Sequence, residues 1–581
     1  MSEFRFSPRP NRAGEIAWMP WSSLAFARAA EEEKPILLSI SAVWCHWCHV
    51  MDETSYSDPG VIEAINRRFV PVRVDNDRRP DINARYNMGG WPTTAFLTPD
   101  GTTLTGATYL PPEQMRRVLE EIAEFFATHK SEIAGRAIEL RSPPAPYQPV
   151  AREELSDAPI LRLVEQLRRA YDPEYGGFGD APKFPQPEAL EFLLTQWRLT
   201  GDQQLYEMVA RTMLGMARGG TYDHVEGGFF RYSTTRDWSV PHFEKMAEDH
   251  AGLLRVLAQL VFFAPNDDFR ATLVSALGYV RRVLRDPQTG FYAGSQDADE
   301  AYYELPLEER RALEAPFVDR TSYTSWTCAL AGAQCLAARA LDDDDLLAQA
   351  LQTLDNVDAR LLGDDGLVYH VLAPGGAPDV HGLLADQVAY VRALLDAHEI
   401  SGEARFISRA RAAAEAIFER LEAPEGGFYD RITVDGALGR LALVDRPIVD
   451  NGLFAETLLR MAVLLAQPAY RERAERILTL YAGTLEAAGS FAATYARALS
   501  RYRSPELCVR IVGAAAATDA YRETALRLPA AWLSIRTLAP PEAAELGMPA
   551  EPAAYVCVTG TCGAPVKEPS ALRDAYDALV V

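Results

Sequence analysis

The chain has 581 residues, 48% of them apolar and 24% charged, and a formal charge of −23 at neutral pH. That length exceeds what one hydrophobic core supports and calls for three or four domains. The negative charge disfavours nucleic acid and anionic membrane as partners, no run reaches the roughly eighteen apolar residues of a membrane span, and seven cysteines in so long a chain make no disulfide scaffold. A cytoplasmic protein is expected, because the opening residues MSEFRFSPRPNRAGEIAW lack the apolar stretch of an export signal.

Lys34-Pro35 introduces Ile36 to Ile40, an apolar run that reads as a buried strand. Next, SAVWCHWCHVMDE crowds Cys45, His46, Trp47, Cys48 and His49 into five positions. Three templates fit this: c-type haem attachment, a zinc site and a thioredoxin-type redox pair. Haem attachment normally takes place outside the cytosol. A structural zinc site needs four ligands, and no second C-x-x-C follows at finger spacing. Two inert structural thiols are the bland alternative. A helix beginning at Cys45, directly after a strand, favours the redox pair. The unpaired amides and positive dipole end there stabilise a thiolate and lower the pKa of the first cysteine. His46 either adds to that stabilisation or is simply solvated. No metal or cofactor is expected.

Phe69 to Asp75 alternates as a second strand, Thr93 to Gly101 reads as a third strand with a Pro99-Asp100-Gly101 turn, and Pro111 to Phe126 is an amphipathic helix. The order β-α-β-β-α, with the cysteines after the first strand, is that of a thioredoxin-like domain. Trp91-Pro92 stands just before the third strand, where such folds place a cis-proline facing the cysteine pair. Pro92 would leave a backbone edge open for a polypeptide or thiol substrate; an ordinary trans turn proline is the alternative.

KPILLSISAVWCHWCHVMDETSYSD, VPVRVDNDRRPDIN and GGWPTTAFLTPDG together closely resemble the thioredoxin domain of the YyaL family, also called spermatogenesis-associated protein 20-like. The chain departs from it by deletion between Tyr86 and Gly-Gly-Trp-Pro. The resemblance implies a second region, a six-hairpin barrel akin to those of glucoside hydrolases and of N-acylglucosamine or cellobiose epimerases. It therefore implies a carbohydrate-type cavity, though a fold alone does not grant an activity.

The residues themselves also point to that region. Residues 141–159 hold five prolines and no helical stripe, marking a linker. Beyond it the chain reads as helices separated by a recurring loop. That loop appears as YGGFGDAPKF at Phe178, EGGFFRYS at Phe229, QTGFYAGS at Phe291, DDGLVYH at Leu367, EGGFYDR at Phe428 and a degraded AGSFAAT at Phe491. Each interval, 51 to 76 residues, has room for two helices. Six helical pairs give a closed (α/α)6 toroid, with an open solenoid as runner-up. The expected fold class is thus multidomain α/β plus all-α. A thioredoxin-like domain spans 1–140, the linker 141–159, the six-hairpin barrel 160–505, and a small α/β appendage 506–581. In the appendage Cys557 and Cys562 read as buried or idle thiols; a mutual disulfide or a relay to the Cys45 pair are the alternatives.

The densest polar stretch, Gly219 to His250, gathers Asp223, His224, Arg231, Tyr232, His242, Glu244, Lys245 and Asp249, with a helix expected from Pro241. Asp297 and Asp299 at the third loop, Trp326, Asp386, and Asp450 beside Asn451 complete a candidate ligand-binding set. Aromatic faces stack on sugar rings and paired acids exchange protons, the chemistry of a carbohydrate site. A buried network tying loops together uses the same residue types. Thr327-Cys328 also stands where the resembled family often has Asn. The leading expectation is a thiol-disulfide oxidoreductase with Cys45 as nucleophile, Cys48 as resolving thiol and Pro92 shaping the docking edge. Its partner would be a protein or small-molecule disulfide or thiol, with a sugar in the barrel cavity. The alternatives are a carbohydrate epimerase or glycoside hydrolase with a redox-sensing module, and a non-enzymatic scaffold.

Overall fold

The structure, a computed structural model, describes residues 4–129, 132–133, 155–483 and 488–580. Residues 141–154 of the expected linker lie outside them. The chain forms two compact units: Met1–Pro146 with Gln296–Asp299 and Arg431–Asp445, and Tyr147–Ser295 with Glu300–Asp430 and Arg446–Val581.

The first unit is thioredoxin-like. Its elements are α1 (Ser23–Glu31), β1 (Ile36–Ser41), α2 (His46–Glu53), α3 (Pro59–Arg68), β2 (Val70–Asp75), α4 (Pro80–Tyr86), β3 (Thr93–Leu97), β4 (Thr103–Ala107) and α5 (Pro112–Thr128). The sheet order is β2-β1-β3-β4, with β1 parallel to β2 and antiparallel to β3. β1 is central and covered on both faces, which is why ILLSIS carries almost no polar alternation. Leu37, Phe96, Met51, Tyr56, Ile65 and Leu119 fill one face; Ile36, Leu38, Ile40, Val72, Ile82 and Tyr86 fill the other. The Pro99-Asp100-Gly101 turn makes a hairpin whose second strand, β4, the sequence reading lacked.

Leu441 lies in the same core as Ile36 and Tyr86, although it is far downstream in the chain. Its segment is held by Arg85, which donates to the Leu443 carbonyl at 2.6 Å. The Tyr86 hydroxyl accepts from the Arg440 amide at 2.7 Å and donates to the Gly101 carbonyl at 2.8 Å. Gly101 has φ +86° and sits so close that a Cβ there would fall 2.4 Å from the Gly439 Cα.

The second unit holds the (α/α)6 toroid. Its helices are α6 (Ala158–Ala170), α7 (Pro187–Thr200), α8 (Gln203–Arg218), α9 (Ala247–Phe263), α10 (Asp267–Tyr279), α11 (Thr324–Leu341), α12 (Asp344–Leu361), α13 (Leu384–Ser401), α14 (Ala404–Leu421), α15 (Ile448–Leu465), α16 (Pro468–Tyr481) and α17 (Ala493–Arg503). The inner ring runs α7-α9-α11-α13-α15-α17 and closes where α17 packs on α7, with Gln196 donating to Ser500 at 3.0 Å. The open solenoid is thereby set aside. Inner helices such as α13 and α15 are buried almost all round, while outer ones such as α6 and α14 keep one apolar stripe.

Five of the six recurring loops close alike, through bridges Tyr171–Phe178, Tyr222–Phe229, Arg285–Tyr292, Leu362–Val368 and Glu422–Phe428. The residues Phe178, Phe229, Phe291, Leu367 and Phe428 are buried plugs. The sixth departs: Phe491 lies in a short 3-10 helix and is 73% exposed.

A small α/β layer follows: β5 (Leu507–Val512), α18 (Ala515–Leu526), β6 (Leu533–Leu538), β7 (Ala553–Val558), β8 (Thr561–Cys562) and α19 (Leu572–Val580), in sheet order β6-β5-β7-β8. It packs on α13 and α15. The expectation of idle thiols is corrected here. Cys557 and Cys562 face each other across β7 and β8 and form a disulfide.

Candidate functional sites

In the thioredoxin-like unit Cys45 is the N-cap of α2. Its sulfur accepts from the Cys48 amide at 3.2 Å, and the two cysteines are disulfide-bonded to each other. Cys45 is 4% exposed and Cys48 2%, beside Trp47, which is exposed and lies against Tyr109 with ring centroids 5.3 Å apart. Trp91-Pro92 is cis. The register ends with Ile40 opposite Thr93, so Pro92 immediately precedes β3 at the sheet end from which β1 leads to Cys45. Trp44 packs edge-on against Trp91 and donates to Asp77 at 2.6 Å. His49, held down by burial below its usual pKa, bonds the Val43 carbonyl at 3.0 Å.

One turn beyond Cys48, Asp52 accepts two hydrogen bonds from Arg73 of β2 at 2.8 and 3.0 Å, both side chains being buried. The guanidinium lies under Phe6, 4.8 Å from the ring centroid. This pair fixes the cysteine helix to the sheet.

In the second unit the toroid lumen is a cavity of about 220 Å³ lined by the inner helices, among them Glu188, Glu248, Trp326, Arg392 and Asp450. These acids come from helix first turns: Glu188 at the second position of α7, Glu248 at the second of α9, Asp450 at the third of α15; Asp249 follows Glu248 on α9. Glu188 and Glu248 are exposed to the lumen although protein surrounds them, and both are raised above the usual carboxylate pKa, first by burial and then by neighbouring acids. Burial, with Glu248 and Glu188 adding and Arg231 opposing, lifts Asp249 to about 8; burial, with Asp430 and Asp386, lifts Asp450 to about 7. One Asp249 carboxylate oxygen is buried without a hydrogen-bond partner.

These shifts carry a sign. A carboxyl protonated in the fold but ionised when unfolded stabilises the fold at low pH, and that stability is lost as pH rises from about 4 through the folded value. Asp249→Asn with Asp450→Asn should therefore melt like the parent near pH 4 and be the more stable by about 1–2 kcal/mol near pH 8, lumen water screening the rest. Thermal melts across that range check it, and parallel curves would mean that both acids titrate normally.

Deeper in the ring, Glu191 meets Arg255 at 2.9 Å, Arg392 at 3.1 Å and Arg497, while Arg255 reaches Asp396 at 2.6 Å and Arg497 reaches Glu456 at 2.9 Å. This network crosses the lumen as a polar floor.

The structure divides the candidate ligand set. Asp223 and Lys245 do not line the lumen: Lys245 is fully buried, pairing with Asp223 at 2.7 Å and donating to the Gly227 carbonyl at 2.8 Å. Lys183 makes the same two bonds one loop earlier, to Asp172 and Gly176, so this is a repeated loop lock. Asn451 belongs with such locks. It brackets Phe428 as Gln387 brackets Val368, from the fourth residue of the following helix. His224 is exposed and donates to the Gly219 carbonyl at 3.0 Å.

The helix expected from Pro241 starts instead at Ala247, because Pro241–His242 pairs as a short strand with Tyr232–Ser233. That pairing builds a stack of Phe184, Tyr232 and His242 and sets His242 Nδ1 2.5 Å from the buried Glu244. Arg231, just before the Tyr232–Ser233 strand, acts on Asp249. Asp386 is buried, bonded to His370 at 2.9 Å and to the Ser325 amide at 2.8 Å. Asp297 and Asp299 group with the first unit, where Asp297 meets Arg5 at 3.4 Å. Sequence reasoning missed Glu188, Glu191 and Glu248. Their signal was position: each stands in the first turns of an inner helix, where the ring converges.

The family model "Thioredox_DsbH: Protein of unknown function, DUF255" matches residues 9–142. Mouse spermatogenesis-associated protein 20 is 38% identical over 313 residues, 49% of this chain and 39% of that protein, and the human protein is equally similar. The chain resembles spermatogenesis-associated protein 20. It spans about two fifths of the length of these spermatogenesis-associated protein 20 relatives. "Uncharacterized protein B0495.5" of Caenorhabditis elegans is 33% identical over 305 residues, 49% of this chain and 41% of that one. Among solved structures, cellobiose 2-epimerase from Bacillus thermoamylovorans B4167 is 12% identical with TM-score 0.47, covering 56% of this chain and 85% of its own. A D-mannose isomerase is 10% identical with TM-score 0.49, covering 61% and 97%. Likeness that distant assigns no chemistry. Among the described residues, no helix is long and apolar enough to cross a membrane.

Proposed function

We propose that the chain is a thiol-disulfide oxidoreductase acting through Cys45 and Cys48, with the toroid lumen as a binding cavity for a carbohydrate-type ligand. The observation that carries this reading is the position of Cys45: it caps α2, its sulfur meets the Cys48 amide, and Cys48 is one turn away in disulfide partnership. Helix-end amides favour the thiolate. In the reduced protein the Cys45 thiolate attacks one sulfur of a substrate disulfide, forming a mixed disulfide and releasing the first substrate thiolate. Cys48 then attacks the Cys45 sulfur and releases the second, leaving the disulfide-bonded pair. A dithiol from the cytosolic pool restores the pair. Pro92, at the same sheet end, and the exposed Trp47 offer the edge and apolar face on which a disulfide-bearing polypeptide or small molecule would dock.

The test is alkylation of a Cys48→Ser variant by iodoacetamide against pH. The expected midpoint for Cys45 lies well below the free-thiol value of about 8.5. A midpoint at or above that value would remove the basis for nucleophilic catalysis. Cys45→Ser should reduce disulfide exchange to background.

A second reading, a carbohydrate epimerase or hydrolase, is favoured by Asp249 and Asp450, whose carboxyls hold protons near neutral pH, and by the His242–Glu244 pair. Turnover of a sugar by a variant lacking both Cys45 and Cys48 would support it over the first.

A further inference from the structure

The C-terminal sheet holds three cysteines in a row. Cys508 of β5 is the register partner of Cys557 of β7, and Cys557 is that of Cys562 of β8. Register partners in neighbouring strands point to the same face, with Cβ atoms about 4.5–5.5 Å apart. That face is one apolar layer in which Cys508 and Cys557 pack with Val463, Val512, Leu538 and Tyr555, and Cys562 borders it. Cys557 and Cys562 are bonded; Cys508 is a free thiol and buried. Cys562 is half-buried on a two-residue edge strand, after a hairpin turn in which Thr559 and Gly560 both have positive φ.

We propose that this row is a second thiol-disulfide site, in which the Cys508 thiol exchanges into the Cys557–Cys562 disulfide and frees Cys562 at the sheet edge. The Cys508 thiolate attacks the Cys557 sulfur, a Cys508–Cys557 bond forms as the Cys557–Cys562 bond breaks, and Cys562 leaves as a thiolate that takes up the proton Cys508 lost. The Cys508 sulfur supplies the new bonding pair and Cys562 departs with the old one, so one disulfide is kept and no oxidant or reductant is consumed. The central position of Cys557 makes it the sulfur shared by both isomers. Cys562 is suited to leave because it alone of the three reaches water. Arg510, two residues along β5, hydrogen-bonds the Cys508 thiol and favours its thiolate, while burial acts the other way and pushes it up to about 12. The exchange is therefore slow near neutrality and accelerates about tenfold per pH unit below that value. The freed Cys562 is a surface thiol open to small electrophiles and disulfides.

The test is peptide mapping without reduction, on the whole protein held folded with N-ethylmaleimide at about pH 7 and about pH 9. The expected result is label on Cys562 in molecules that carry a Cys508–Cys557 cross-link, accumulating about a hundredfold faster at the higher pH. A Cys557–Cys562 cross-link that persists at both values, with Cys508 labelled only after denaturation, would overturn the proposal. Cys508→Ala should abolish Cys562 labelling. If labelling survives there, Cys562 is freed by another route and the exchange is wrong. Where the Ala variant melts early, Cys508→Val, which refills the apolar face, gives the same decision.

Discussion

Replacing Asp52 by Ala should lower the stability of the thioredoxin-like unit by about 3–5 kcal/mol, because it leaves the Arg73 guanidinium buried against Phe6 without its carboxylate. Urea unfolding followed by tryptophan fluorescence would report it. The paired change Asp52→Leu with Arg73→Met, which removes both charges, should recover most of the loss. A loss below about 1 kcal/mol for Asp52→Ala would mean that the pair is effectively solvated. The same variant should loosen α2, whose last turn Asp52 anchors to the sheet, so the alkylation midpoint of Cys45 would drift towards that of a free thiol.

A comparable loss is expected in the toroid for Glu191→Ala. Arg255 and Arg497 keep Asp396 and Glu456, whereas Arg392 loses the one carboxylate it bonds among the described residues. The cost should again be about 3–5 kcal/mol at neutral pH. It should depend on pH in a definite direction. Burial opposes ionisation of Glu191, but Arg497, Arg392 and Arg255 outweigh it and hold its pKa well below the carboxylate range. Its contribution is thus present above about pH 4 and disappears as pH falls below it. Parent and variant melting temperatures should converge in acid; a gap that stays constant would show that the loss comes from packing alone.

The legible parts of this molecule are those set by local pattern. β1 reads as a buried strand because every residue of it is covered, and the loops at Phe178, Phe229, Phe291, Leu367 and Phe428 repeat because each must plug its own helical pair. The position of Cys45 at a helix start followed from the strand before it. What failed was local pattern overridden by distant pairing. His242 to Asp249 has helical spacing, yet Tyr232–Ser233 captures Pro241–His242 as a strand and delays the helix to Ala247. Asp223 and Lys245 look like site residues in isolation; only their likeness to Asp172 and Lys183 marks them as a lock. The row of Cys508, Cys557 and Cys562 depends on strand register, which spacing along the chain does not encode.

Leu441 sets the order in which the polypeptide can mature. The core around Ile36, Tyr86 and Leu97 is finished by a side chain that follows β4 by more than three hundred residues. At about 5–20 residues per second, the ribosome needs tens of seconds to supply it. A domain that emerges ahead of the toroid is therefore completed only after most of the toroid has been made. Until then the surfaces of Trp21, Phe26 and Tyr86 that Leu441 and Leu438 will cover face solvent in the nascent chain, a natural foothold for a chaperone during synthesis.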